Sequence, residues 1–258
     1  MMLDRLELTD AQLDSPLGRT SPVVKLGVAV GWLVGLAFTL AWVAPLVLAG
    51  TAILAGIALG SVRIGSLVKS SAPLWLAALG IGLFNALYST SNGDPTATTL
   101  VALGPFRITE LAATNGVALT LRVIAIASVG AVFTLTTDPT RLADSLVRQA
   151  GVSPRFAYGA LAAYQAIPRF AEDLSTLRQA RRIRGLRGSW HPRLLVTLLV
   201  LAIRHGDRMA LAMDARAFGA GPMTHYRELR WSWLDGGVAA GAAIVLVGAL
   251  ALARVAWL

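Results

Sequence analysis

The sequence predicts an all-α integral membrane protein, with about five transmembrane helices and a long arm of amphipathic helices before the last of them. Three observations lead to this prediction. Of the 258 residues, 55% are hydrophobic, the mean hydropathy is +0.64, and five apolar stretches approach the length of a membrane-crossing helix. Such a helix needs roughly 20 apolar residues, because each residue rises about 1.5 Å and the hydrocarbon is about 30 Å thick. A bilayer is therefore the solvent that suits this chain.

The five apolar stretches lie at residues 26–43, 45–62, 72–89, 116–136 and 236–257. The first two are separated only by Ala44, beside Trp42 and Pro45. Because Pro45 cannot continue a helix and an aromatic side chain suits the membrane interface, they predict a tight helical hairpin. Together the stretches predict an N-terminal membrane domain with four transmembrane helices at 1–136, an arm of amphipathic helices at 137–232 and a C-terminal transmembrane helix at 233–258.

The excess positive charge of the chain is concentrated in the arm. The net charge is +9, and residues 141–230 hold 15 Arg and no Lys against 6 acidic residues, which equals the excess of the whole chain. Cytoplasmic loops of membrane proteins are rich in Lys and Arg. We therefore expect the N-terminus and the arm on the cytoplasmic side of a cell membrane. Residues 1–20 lack the basic region, apolar run and cleavage site of a signal peptide, so no cleaved leader is expected.

Arg122 is a charged residue inside the fourth apolar stretch. A charge within the membrane is costly and usually faces a bundle interior or a cavity, which favours a functional role. Alternatively, Arg122 lies close enough to the interface to extend its guanidinium into it, or pairs with Glu110. The sequence leaves both interpretations open.

The arm is predicted to fold into three helices. The first two start at Asp138-Pro139 and Ser153-Pro154, where a polar N-cap precedes a proline at the first helical position. The third begins near His191-Pro192, and the three end near residues 151, 184 and 217. In the second helix apolar residues recur every three or four positions, namely Tyr164, Ile167, Phe170, Leu174 and Leu177. The apolar run at 194–203 is too short to cross a bilayer, so we expect it against other helices or in the interfacial plane.

The second and third arm helices each end in an arginine beside small or apolar residues, Ile183-Arg184-Gly185 and Ala215-Arg216-Ala217. Cations suit a helix C-terminus and Gly185 suits a left-handed cap, but the arginines here exceed what capping needs. Small neighbours leave a guanidinium unshielded, so it can enter a cleft in a partner and bind carboxylates or helix-end carbonyls. These six residues are the predicted docking site, with Arg181, Arg182 and Asp214 in support.

These two helix ends resemble the Ala-Arg-Gly-like motifs of a known family, the transmembrane T component of energy-coupling factor (ECF) transporters, which includes cobalt and nickel transport membrane subunits. The resembling segments are residues 177–185 and 210–218, and further resemblance lies at 136–139, 167–170 and 21–26. It therefore extends over nearly the whole chain. Ile183 stands where the first motif usually has Ala, and Ala217 where the second usually has Gly. Both departures leave the arginine in place.

The resemblance implies a subunit of a bacterial or archaeal cell membrane that neither hydrolyses ATP nor captures the substrate. It would join a pair of ABC-type ATPases, identical or different, to a membrane-embedded substrate-binding S component for vitamin or transition-metal uptake. Arg184 and Arg216 would each enter one ATPase. ATP and Mg would be bound by those partners, with no cofactor in this chain. The transported substrate is set by the S component and cannot be inferred here.

Two other functions remain open from the residues alone. A conventional ABC permease forms the substrate path itself and usually docks through a short coupling helix rather than a long arm. An intramembrane lipid-modifying enzyme is suggested weakly by Asp214-Ala215-Arg216, which is similar to part of a phosphatidyltransferase signature but lacks its later paired aspartates.

Other chemistries are disfavoured by what the sequence lacks. The three histidines, His191, His205 and His225, do not have metal-binding spacing, and no phosphate-binding Gly-x-x-x-x-Gly-Lys loop is present. Cysteine is absent, which excludes disulfides and thiolate metal sites. Nucleic-acid binding by the arm is not favoured, because its arginines cluster at helix ends and few aromatic residues interleave with them.

Overall fold

The computed structural model describes residues 12, 14–39, 41–93, 98–103, 106–186, 188, 191–219, 221 and 231–255. Three predicted parts of the chain lie outside the described residues. They are residues 1–11 of the first predicted domain, residues 222–230 of the arm, which include His225, and residues 256–258 of the last predicted domain. The chain divides into two compact units. The membrane unit lies within Leu6–Asp138 and Arg230–Leu258, and the arm unit is formed chiefly by Pro139–Leu229.

The described residues form nine α-helices, one short 3-10 helix and two strands. In chain order these are α1 (Pro16–Arg19), α2 (Pro22–Ala37), α3 (Val43–Ala58), α4 (Ile64–Leu87), the 3-10 helix Thr90–Gly93, β1 (Thr99–Leu103), β2 (Phe106–Thr109), α5 (Glu110–Thr136), α6 (Pro139–Gln149), α7 (Pro154–Ile183), α8 (Pro192–Ala215) and α9 (Trp233–Val255). The predicted all-α fold class is confirmed.

Three helices of the described chain, α4, α5 and α9, are long and apolar enough to cross a membrane. The first two predicted stretches form the shorter apolar helices α2 and α3, with 16 residues each. Pro45 does not mark the break between them. It lies in the first turn of α3, where a proline removes no helical hydrogen bond, and the helices are separated by residues 38–42 instead.

Small residues bring the membrane helices into close contact. A Cβ atom added at Gly82 of α4 would lie 2.7 Å from the carbonyl oxygen of Gly116 on α5, and one added at Gly56 of α3 would lie 2.8 Å from Val132 on α5. Without a hydrophobic drive between helices in lipid, such close backbone packing is what holds a membrane bundle together. The main buried cluster joins α2, α3, α5 and α9, and includes Trp32, Leu36, Leu48, Ala125 and Ala249.

A small antiparallel hairpin, which the sequence analysis missed, connects α4 to α5. The side chain of Asn92 fixes this connection at both ends. Its amide nitrogen donates to the carbonyls of Ala86 and Leu87 at the end of α4, at 2.7 and 3.1 Å. Its amide oxygen accepts the backbone N–H of Thr109, the N-cap of α5, at 3.0 Å. Strands this short show no clear period in a sequence.

In the arm unit the predicted helix starts at Pro139, Pro154 and Pro192 are confirmed. α7 packs against both α6 and α8, and the ring of Phe170 on α7 meets that of His205 on α8 edge-on, with centroids 6.0 Å apart. The predicted apolar face of α7 is only partly correct. Its buried positions are alanines, Ala157, Ala162 and Ala166, whereas Tyr164 and Ile167 are exposed.

Candidate functional site

The first predicted docking arginine, Arg184, is the C-cap residue of α7. The next residue, Gly185, has a left-handed backbone with φ 71°. Its N–H donates to the carbonyl of Arg182 at 3.1 Å, and the N–H of Leu186 donates to the carbonyl of Arg181 at 3.2 Å. This pair of bonds is a Schellman motif, which satisfies the last carbonyls of the helix through backbone groups alone. The Arg184 side chain is exposed and is therefore not used to close the helix.

The second predicted docking arginine, Arg216, has the same local structure at the end of α8. Arg216 is the C-cap residue, and Ala217 is left-handed with φ 54°. The N–H of Ala217 donates to the carbonyl of Asp214 at 2.9 Å, and the N–H of Phe218 donates to that of Met213 at 3.0 Å. Both arginines are thus exposed C-cap residues of Schellman motifs, and neither guanidinium has a partner among the described residues.

The two caps differ in the residue that adopts the left-handed conformation. Glycine takes it without strain, whereas a residue with a Cβ atom pays roughly 1–2 kcal/mol. Ala217 therefore holds strain that Gly185 does not. This gives a physical reason for the glycine usual in the second motif.

Replacing Gly185 by alanine and replacing Ala217 by glycine should change the stability of the chain in opposite directions. We expect Gly185→Ala to lower the free energy of unfolding by about 1 kcal/mol and Ala217→Gly to raise it by about 1 kcal/mol. Among the described residues, no atom beyond the chain neighbours of Gly185 lies within 4 Å of a Cβ added there, so the effect is conformational rather than steric. Denaturant unfolding in detergent measures both. Gly206→Ala, inside α8 and equally open, is the control and should stabilise by up to about 1 kcal/mol. A loss of stability in Ala217→Gly would contradict the left-handed conformation of Ala217.

The cap that contains Arg216 contacts the N-terminal part of α7, whereas Arg184 lies at the C-terminal end of that helix. The ring of Phe218 packs edge-on against that of Tyr158, with centroids 6.2 Å apart. The guanidinium of Arg155 donates to the carbonyl of Gly219 at 3.1 Å. Tyr158 precedes Arg184 by 26 residues of one continuous helix, which corresponds to about 40 Å at 1.5 Å per residue. The two arginines are therefore presented at opposite ends of α7.

Tyr158 also connects this cap to α6. Its hydroxyl donates to the carboxylate of Asp144 at 2.9 Å. Burial, followed by this hydrogen bond, raises the pKa of Tyr158 above its ordinary value of 10.0. The hydroxyl therefore keeps its proton at neutral pH and remains a donor to Asp144.

The three supporting residues do not form a common cluster. Arg182 and Asp214 are exposed, and only their backbone carbonyls contribute to the caps. Arg181 is half-buried, and its buried Nε has no partner among the described residues. Ile183, beside Arg184, is 86% exposed, which is unusual for an isoleucine. It adds an apolar surface to the first cap.

Arg122 is half-buried in α5 and has no side-chain partner in the described part of the chain. The proposed pairing with Glu110 is wrong. Glu110 is the first residue of α5 and lies twelve residues earlier, about 18 Å away along the axis, whereas ion pairs on a helix join residues three or four apart. The functional and interfacial interpretations of Arg122 both stay predictions.

The described histidines have structural contacts. Nδ1 of His191 accepts the N–H of Arg193 at 3.1 Å and so caps the start of α8, and His205 packs on Phe170. Among the described residues no group of three or more His, Asp or Glu side chains is placed to hold a metal ion.

The fold and the two exposed caps define the class of protein. It is an integral membrane protein in which an amphipathic helical unit presents a pair of arginines. A family model described as cobalt transport protein, CbiQ, matches residues 14–226, which include both arginine caps.

Comparison with curated proteins gives relatives of the same class. The energy-coupling factor transporter transmembrane protein EcfT of Heliobacterium modesticaldum is 30% identical over 86% of this chain and 88% of its own length. That of Listeria innocua is 28% identical over 65% of this chain and 68% of its own. A putative ABC transporter ATP-binding protein of Bifidobacterium longum is 30% identical over 92% of this chain but only 32% of its own length. The chain belongs to the CbiQ family and is a transmembrane T component of an ECF transporter.

Proposed function

We propose that this chain couples two ABC-type ATPases to a membrane-embedded, substrate-binding S component. In this proposal the N-terminus and the arm unit lie on the cytoplasmic side of the cell membrane, and Arg184 and Arg216 each enter one ATPase. Closure of the ATPase pair around ATP displaces the two caps, and the arm helices carry this displacement to the membrane unit. The S component then reorients and releases a vitamin or a transition metal inward.

The observation that carries the proposal is the repeated cap geometry at opposite ends of α7. Both arginines stand at the same position of the same motif, exposed and without a partner among the described residues. Their separation along α7, about 40 Å, suits two separate protein subunits better than one small ligand. Exposed guanidinium groups bind carboxylates and carbonyls in a partner cleft with high directionality.

The comparisons support the ATPase partners. A segment similar to this chain makes up about a third of the Bifidobacterium longum protein named for ATP binding. This chain contains only two lysines and no phosphate-binding loop. We therefore propose that ATP and Mg are bound by the partner ATPases, that this chain contributes no cofactor, and that it is not itself an enzyme.

Native mass measurement of the purified complex tests this assignment. We expect one copy of this chain with two ATPase subunits, and the loss of one ATPase in Arg184→Ala or Arg216→Ala alone, because each arginine serves a different subunit. The isolated chain should hydrolyse no ATP. Hydrolysis by the isolated chain, or two ATPases still bound in both single variants, would overturn the proposal.

A further inference from the structure

The chain passes between the arm unit and the membrane unit twice. Each connecting segment adjoins a helix end in the membrane unit, and both of these helix ends are hydrogen-bonded to the beginning of α2. The chain leaves the membrane unit after Asp138 and returns to it at Arg230. α5 ends at Thr136, just before the exit, and α9 begins at Trp233, just after the return. Two buried charged residues make the bonds that hold these ends.

Lys25, in the first turns of α2, holds the end of α5. Its ammonium donates to the carbonyl of Thr136, the last residue of α5, at 2.5 Å. Lys25 is only 7% exposed, and a buried charge is tolerated only where hydrogen bonds and opposite charge compensate it. The final carbonyls of a helix lack partners within the helix and carry partial negative charge, so a cation there is favourable.

Asp235 holds the start of α9 and the start of α2 with one carboxylate. Oδ2 accepts the N–H of Ser232 at 2.8 Å, while the carbonyl of Ser232 accepts the N–H of Asp235 at 3.0 Å. Oδ1 accepts the N–H of Ser21, the N-cap of α2, at 2.7 Å. Asp235 is 2% exposed. An anion shared between two helix N-termini satisfies donors of both and suits both macrodipoles.

From these contacts we propose that Lys25 and Asp235 form a clamp that delivers displacement of the arm to α2. They are positioning residues, because they act through helix ends rather than on a substrate or nucleotide. When Lys25 and Asp235 make these hydrogen bonds, movement of either connecting segment pulls on the first turn of α2 together with α5 or α9. When the bonds are broken, the same movement frays the ends of α5 and α9 and leaves α2 in place. The inference rests on the proposed coupling function.

Spin labels within the membrane unit test the clamp. The chain has no cysteine, so Phe38→Cys and Leu83→Cys introduce two unique sites, both exposed, near the outer ends of α2 and α4. In a complex whose partner subunits lack reactive cysteines, we expect trapping of ATP with vanadate to change the distance between the labels. We expect Lys25→Met and Asp235→Asn each to abolish that change while ATPase binding and ATP hydrolysis persist. Lys25→Arg, which keeps a cation able to reach Thr136, should restore it.

The outcomes separate the clamp from the wider proposal and from simple instability. A distance change that survives in both variants, or that is absent in the labelled parent complex with active ATPases, overturns the clamp. Failure of the parent chain to bind ATPases overturns the proposed function instead. If Lys25→Met does not fold, Asp235→Asn decides the question, because it preserves the shape of the side chain and one acceptor oxygen.

Discussion

Replacing Arg184 and Arg216 together by glutamate is expected to abolish co-purification of the partner ATPases while the chain still inserts into the membrane. Removing one partner of a buried charge pair costs about 2–5 kcal/mol, and reversal of the charge adds repulsion from the carboxylates that the guanidinium would meet. Because each arginine serves a different ATPase, the affinity for each of the two subunits falls by at least about 30-fold, since each 1.4 kcal/mol is tenfold. The measurement is the amount of ATPase retained on tagged, detergent-solubilised chain.

The control for this variant is Arg193→Glu with Arg208→Glu. These two exposed arginines belong to the same unit, and their replacement changes the net charge by the same amount. We expect ATPase binding to persist in this control, because neither arginine is a helix C-cap. Normal ATPase assembly in the Arg184 and Arg216 variant would refute the docking site, and equal loss in both variants would show that general charge rather than the caps holds the complex.

A valine at Gly82 is expected to prevent α4 from packing on α5. The added Cβ would lie 1.7 Å from Oγ1 of Thr120 and 2.7 Å from the carbonyl oxygen of Gly116. Thr120 can rotate, but the Gly116 backbone cannot move without separating the helices. Overpacking of this kind costs typically 1–3 kcal/mol and occasionally more, and here we expect at least about 3 kcal/mol. The thermal unfolding midpoint in detergent, and the yield of folded protein, measure the effect.

Gly80→Val is the matched control, because it makes the same change two positions away on the same helix. In the described part of the chain, no atom outside the backbone of α4 and the chain neighbours of Gly80 lies within 4 Å of a Cβ added there, so we expect a change of no more than about 0.5 kcal/mol. Equal destabilisation by both variants would mean that the added side-chain bulk itself, rather than contact with α5, sets the cost, because valine is a better helix former than glycine.

Local signals in the sequence were sufficient to predict where the helices of the arm begin and end. Pro154 after Ser153 and Gly185 after Arg184 act through the backbone of their own neighbours, so the beginning and end of α7 follow from adjacent residues alone. The exposure of Arg184 follows in the same way, because a Schellman motif closes a helix without its C-cap side chain. The membrane helices were predictable because long apolar segments have few alternatives to crossing a bilayer.

Contacts between distant parts of the chain were not predictable. The hydrogen bond from Ser21 to Asp235 joins residues 214 positions apart, and no local sequence pattern predicts it. The sequence Ser232-Trp233-Leu234-Asp235 before an apolar run is a capping-box signal that would have singled out Asp235, but not its second helix. Likewise, the left-handed backbone of Ala217 is visible only in the structure, because alanine gives no local sign of it.

The unequal lengths of the membrane helices have a consequence for the surrounding lipid. α2 and α3, with 16 residues each, span about 24 Å, against a hydrocarbon thickness of about 30 Å. Lipid beside these two helices must thin by several ångströms, at a cost of a fraction of a kcal/mol per Å. A protein neighbour that replaces the compressed lipid recovers this cost. Hydrophobic mismatch therefore favours contact of α2 and α3 with another membrane protein over contact with lipid.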